Sequence, residues 1–197
     1  MVKQANKPIR GEVLREKILS SALMLFSEKG YFNTSIPDIR QSAGVSTGAI
    51  YHHFKNKEAL AKSLYESLLF DINQTIETSC TNKNGCLEQC RIVIKNLFQL
   101  TIDKPMQMQF ILLAQHREYL PGEAPICSSK PFQAMRNIVS EGIQNKEVRD
   151  IDSWVAATAM FGGALRMMSL QLDGVLDKPL PEYLDQVVES AWLGIKK

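Results

Sequence analysis

The residues best suited to chemistry in this chain are gathered between Thr34 and Lys57, in the run TSIPDIRQSAGVSTGAIYHHFKNK. It offers the hydroxyls of Thr34, Ser35, Ser46 and Thr47, the phenol of Tyr51, the imidazoles of His52 and His53, and the ammonium of Lys57. Such groups suit hydrogen bonding to base edges and phosphates better than bond breaking. Gly48 and Ala49 lie among them and add little bulk, so the backbone there can come close to a base edge. Lys57 sits at the start of a further helix, where a phosphate is also attracted. No nucleophile, base and orienting group occur together, so an enzyme is not expected, and neither is a cofactor. Cys86 and Cys90 would share a helical face, but no Cys-x-x-Cys or nearby histidine completes a metal site, and none is expected.

The elements that must present these groups are two short helices joined by a glycine. Ile36, Ile39 and Ala43 recur at helical spacing on the first, and Ile50 and Phe54 lie four apart on the second. Gly44 stands where the first helix must stop in a left-handed residue, and Val45 after it can drop into the core. Ser35 begins a Ser-x-x-Asp pattern with Pro37 in the first turn, Ser46 caps the second helix and Asn56 a third. Upstream, Leu14, Ile18, Ala22, Leu25 and Phe26 form the buried stripe of a helix from about Gly11 to Lys29, which completes a three-helix head. Taken alone, the spacing also fits an ordinary helical hairpin with solvated faces.

The residues themselves go further. Thr34-Ser35-Ile36, followed by Ala43-Gly44-Val45-Ser46-Thr47-Gly48-Ala49-Ile50-Tyr51-His52-His53-Phe54-Lys55-Asn56-Lys57-Glu58-Ala59-Leu60, closely resembles the signature of the tetracycline-repressor (TetR) family of bacterial transcription regulators. The resemblance extends upstream through Ile18-Leu19, Leu25-Phe26 and Gly30-Tyr31, about the first third of the chain. It implies that Ser46, Thr47, Gly48 and Ala49 approach the major groove, that Tyr51, His53 and Lys57 meet phosphates, and that Thr34 and Ser35 reach the DNA backbone. It also implies an all-α chain whose helix-turn-helix head binds a double-stranded DNA operator and whose larger body binds an effector and dimerises. Pro37 departs from the usual pattern but is tolerated in a first helical turn.

About nine helices are expected, in a DNA-binding domain over residues 11–71 (helix-turn-helix at about 35–54) and an effector-binding and dimerisation domain over 72–197. A long helix through Leu60, Leu64, Leu68, Ile72 and Ile76 links the two; the segment 79–85 is a polar break, and 120–131 reads as a loop with a short turn. Charge divides the same way. Residues 1–62 hold ten Lys and Arg against five acids, and the remainder carries 13 basic and 16 acidic residues. A basic head on a mildly acidic body suits contact with a polyanion at one end, although an imbalance without a partner would look the same. Lys3, Lys7 and Arg10 precede the first helix as a basic arm or a plain solvated tail.

In the body, Phe98, Thr101, Met106, Phe110, Leu113 and Met135, together with Met160, Phe161 and Met167, are large or adaptable side chains that suit either an apolar effector pocket or plain core. His116, Arg117 and Arg166 are the polar groups best placed to orient such a ligand, Arg166 having an interface role as its alternative. Ala159, Gly162 and Gly163, with Ser190, Ala191 and Gly194, form small faces for close helix approach. The resemblance places them in a four-helix bundle between two copies, and packing within one subunit is the alternative. Val155 to Leu172 is the most membrane-like stretch, but Arg166 interrupts it, so no membrane partner is expected. The polar, basic N-terminus carries no signal-peptide pattern; a cytoplasmic homodimer with reduced cysteines at 80, 86, 90 and 127 is expected. The leading expectation is a ligand-responsive repressor. Its rival keeps the fold and drops the ligand.

Overall fold

A computed structural model describes residues 10–79 and 85–197, and they fold as ten α-helices with no strand among them. Lys3, Lys7 and Cys80 lie outside the described residues, as does the Arg10 side chain. The head comprises α1 (Arg10–Lys29), α2 (Ile36–Ala43) and α3 (Thr47–His53). The linking helix is α4 (Lys57–Ser79), a continuous 23-residue element. The body follows as α5 (Cys86–Asp103), α6 (Pro105–Leu113), α7 (His116–Tyr119), α8 (Lys130–Gln144), α9 (Ser153–Leu172) and α10 (Leu184–Ile195), with 3-10 turns at Ile126–Ser128 and Leu180–Tyr183.

One helix more than expected arises because the segment starting at Pro105 does not run on to His116. Ala114 turns extended (φ −72°, ψ 135°), and the chain restarts as the short α7. Burial of aromatic rings explains the break: it swings Tyr119 and His116 under the head, where Tyr119 is buried among Tyr31, Phe32 and His116.

The head is built by local signals. Ser35 accepts from the Asp38 amide at 3.3 Å while the Asp38 carboxylate accepts from the Ser35 amide at 2.8 Å, a reciprocal capping box. These bonds hold the Asp38 carboxyl below its ordinary range. Gly44 ends α2 at φ 61°, ψ 42°, a conformation that costs a Cβ-bearing residue energy. Ser46 caps α3 through the Ala49 amide at 3.1 Å, and Asn56 caps α4 through Ala59 at 2.7 Å. Ile18, Ala22, Ile39, Ala43, Ile50 and Leu60 are completely buried where these helices meet. In the body, α4 packs on α5 and α8, and α10 packs on α5 and α9; α1 rests on α6, so head and body share a junction besides α4.

Candidate DNA interface and body cavities

Packing turns one side of α3 outward. Ser46, Thr47, Gly48, Tyr51 and His52 are exposed, and Ala49 and His53 are half-buried, while Ile50 and Phe54 anchor the opposite side in the core. The N-terminal end of α3 therefore presents small side chains and unbonded backbone amides, with a phenol and two imidazoles one turn further on. Ser35 is exposed beside it at the start of α2, and Lys17, Lys29, Arg40 and Lys55 are exposed cations on the same head.

Two expected contact residues face inward. Thr34 is buried, and its hydroxyl lies within hydrogen-bond range of the carbonyls of Leu25 (3.2 Å) and Gly30 (2.9 Å), so that side chain cannot also reach a DNA backbone. Lys57 is half-buried, its ammonium donating to the carbonyls of Tyr31 at 3.0 Å and Thr34 at 2.9 Å and lying 4.2 Å from the centre of the Tyr31 ring. Desolvation lowers its pKa. Lys57 thus straps the α1–α2 turn to the start of α4. Its adaptable ammonium suits such a strap because one donor group can serve two carbonyls and an aromatic face together.

The twelve residues expected to line one effector pocket do not converge. Phe98, Thr101, Met160 and Phe161 are buried in the helical core, with Thr101 bonded to the Leu97 carbonyl at 2.8 Å. Met167 packs partly buried on that core, whereas Met106 and Arg166 are exposed. Met135 lines a narrow apolar seam of about 20 Å³ between Leu69, Pro131 and Met168. Phe110 and Leu113 line a cavity of about 510 Å³ between head and body, bounded by Phe26, Tyr31 and Tyr119. His116 and Arg117 line another, of about 360 Å³, over Tyr65. Helical periodicity marks these side chains as apolar and inward, but cannot separate a filled core from a hollow one.

The structure also brings forward aromatic residues that sequence pattern did not select. Tyr31 stacks on Tyr119 with ring centres 4.0 Å apart and planes within 11° of parallel. The Tyr119 hydroxyl lies 2.7 Å from His116 Nδ1, and the His116 ring packs 4.4 Å from Tyr65 and 4.8 Å from Phe110. Burial pushes the His116 imidazole below its ordinary pKa; the carbonyls of Phe110 and Ile111 pull weakly the other way. No short-range spacing signals this cluster, because its members come from four separate segments.

The small residues on α9 and α10 lie outside the core. Ala159, Gly163, Ser190 and Gly194 are exposed, Gly162 and Ala191 half-buried, and a Cβ added at Gly163 or Gly194 would meet nothing within 4 Å. Trp154, Val155 and Leu193 on the same helices are 50, 58 and 65% exposed. The buried thiols instead serve packing: Cys86 contacts the Ile138 carbonyl at 3.6 Å and fills the space a Gly142 side chain would need.

A capped helix-glycine-helix whose second member exposes its N-terminal face is a DNA-reading arrangement. Residues 18–64, spanning it, match the family model for bacterial regulatory proteins of the tetR family. The head of this chain is of the tetR family. The chain is therefore a DNA-binding transcriptional regulator. Over 160 residues it is 29% identical to the Transposon Tn10 TetC protein of Escherichia coli, covering 75% of this chain and 74% of that protein. Over 157 residues it is 27% identical to the fatty acid metabolism regulator protein of Bacillus subtilis, covering 74% and 77%. The crystal structure of the transcriptional regulator FadR from Bacillus subtilis, in complex with stearoyl-CoA, superposes with a TM-score of 0.79 at 24% identity, over 91% of this chain and 98% of that one. That likeness is one of fold. The fold places the exposed α3 face in the head, one cavity at the junction of head and body, and two more along the middle of α4.

Proposed function

We propose that this regulator is a homodimeric repressor that reads a pseudo-palindromic operator with α3 and is released by a small, largely apolar ligand bound in the body. The single observation that carries the reading is α4: one unbroken helix begins at the Lys57 strap under the head and runs past two cavities of the body between Tyr65 and Asn73. A ligand that displaces α4 displaces the head with it, and two heads must hold successive major grooves about 34–36 Å apart to bind together. Thr47, Gly48 and Ala49 approach base edges; Ser35, Ser46, Tyr51, His52 and His53 meet base edges or phosphates; residues 11–71 act as the reading unit and 72–197 as the sensing and dimerising one. The exposed small and apolar residues of α9 and α10 support a twofold four-helix contact. That a FadR of Bacillus subtilis was crystallised with stearoyl-CoA supports a ligand with a substantial apolar part.

The test takes the DNA site selected by the full-length protein from a random pool and measures affinity by fluorescence anisotropy across salt concentrations, with and without a candidate ligand. Linkage requires that the DNA weaken ligand binding by the same factor by which the ligand weakens DNA binding. Equal affinities with and without every ligand that binds the body would favour the effector-independent reading.

A further inference from the structure

Among the described residues, three buried side-chain polar atoms have no hydrogen-bond partner: Asn73 Oδ1, His116 Nε2 and Ser129 Oγ. All three residues line two adjoining cavities. Asn73 and Ser129 border one of about 440 Å³, and His116 borders the one of about 360 Å³; the two share Tyr65, Glu123, Ala124 and Pro125 as walls. They form one trough between α4 and the segment from α7 to the start of α8. A buried polar atom left unpaired costs stability, so three of them in one trough are unexpected for a surface with no occupant.

The chemistry of each atom is defined by its neighbours. Asn73 is only 5% exposed, and its amide nitrogen donates to Glu77 at 2.8 Å, which leaves the oxygen as an acceptor requiring a donor. Ser129 stands at the N-cap of α8, yet its hydroxyl caps nothing and is free to donate or accept. His116 is held by Tyr119 through Nδ1, and its burial favours the uncharged ring, so Nε2 offers a hydrogen bond without a charge. Between the two ends the walls include Leu69, Pro125 and Ile126. On the rim Lys62 is paired with Glu123 at 2.5 Å and lies 3.9 Å from Glu66, and the lining carries Lys130 and Arg117 as well as Glu66 and Glu118, so both signs of charge are present and neither is selected.

Length follows from the helix. Tyr65, against which His116 packs, and Asn73 are eight residues apart on α4, about 12 Å at the rise of an α-helix. We propose that this trough binds an elongated, uncharged molecule with a hydrogen-bonding group at each end, about 12 Å apart, and an apolar body between them. The inference deepens the ligand-released reading, on which it rests for the effect on DNA.

The experiment titrates the full-length protein by calorimetry with 1,10-decanediol, 1,5-pentanediol, 1-decanol and decanedioate. Decanediol should bind best. The mono-alcohol should bind about tenfold more weakly, roughly the worth of one hydrogen bond to a buried group; the short diol should bind at least about a hundredfold more weakly, because it also buries five fewer methylenes, and the dianion should bind more weakly than the mono-alcohol. Asn73→Leu and His116→Phe should each lose about tenfold for decanediol and no more than twofold for 1-decanol bound at the other end. Helical circular dichroism and affinity for the selected DNA site confirm that each variant is folded. Asn73→Leu should also melt higher than wild type, since it removes an unpaired acceptor. Equal binding of decanol and decanediol, tightest binding of decanedioate, undiminished affinity in Asn73→Leu, or no binding of any probe would overturn the proposal. Decanediol that binds as expected but leaves DNA affinity unchanged would uphold the site and count against release. Release by another ligand with no diol bound would do the reverse.

Discussion

The ammonium of Lys57 serves the Tyr31 and Thr34 carbonyls, so its removal acts first on the head's integrity. Lys57→Met should lower stability by about 1–2 kcal/mol, read by urea denaturation, because two carbonyls lose a charged donor at a half-buried site. The slope of DNA affinity against salt should stay unchanged in that variant, whereas Lys55→Ala, which removes an exposed cation, should lower the slope by about one. A slope that drops for Lys57→Met with stability intact would restore the phosphate role. His116 has a pH signature of its own. Its folded pKa lies below the ordinary value, so in the window from about 6.5 down to that lowered value the unfolded chain binds a proton that the folded chain does not. Stability should therefore fall on acidification through this window, by at most about 1.4 kcal/mol per pH unit. His116→Gln should flatten that part of the profile in melts recorded from pH 7.5 to 5.5.

At the scale of elements, α5 and α8 meet at a contact that tolerates no added atom. A Cβ on Gly142 would stand 2.6 Å from Cys86 Sγ and 2.8 Å from its Cβ, both in a buried seam where neither helix can yield easily. Gly142→Ala should cost about 1–3 kcal/mol through overpacking, measured by chemical denaturation. Gly142→Ala combined with Cys86→Ala should recover part of that loss, since the second change removes the clashing sulfur. A double variant no more stable than the single one would show that the strain lies in the backbone. The same packing gives Cys86 its place, buried against Ile138 and Gly142 of α8.

For the molecule as a whole, the proposed dimer is tested on the surface that α9 and α10 leave open. A methyl group added at Gly163 would meet nothing within 4 Å, so Gly163→Leu should leave the fold of one chain intact. If α9 and α10 join two copies, the same change should overpack the contact, cost about 1–3 kcal/mol and shift the dimer toward monomer in sedimentation velocity, with helical content retained. Loss of helical content together with dissociation would point instead to a role inside one subunit. Under the proposed ligand-released reading, the Tyr31–Tyr119 stack is a second connection between body and head besides α4, since Tyr119 also contacts His116 at the trough.

The head was legible in the sequence because its signals are local. Ser35 with Asp38, Gly44, Ser46 and Asn56 each act within four residues, so caps, the left-handed stop and the order of α1 to α4 follow from spacing alone. The all-α class and most helix boundaries follow from periodicity in the same way. The break at Ala114 did not, since it arises when Tyr119 and His116 pack beneath Tyr31 and Tyr65, residues some 50 to 90 positions away in the chain. Nor could spacing reveal that Thr34 and Lys57 point inward, because their acceptors are carbonyls, which every residue carries. The trough escapes periodicity for a further reason: an apolar stripe reports which side chains leave water, whereas a cavity is the space that several helices fail to fill once they have met. Local hydrogen bonds are written in neighbouring residues, but voids and long-range partners exist only after the helices pack.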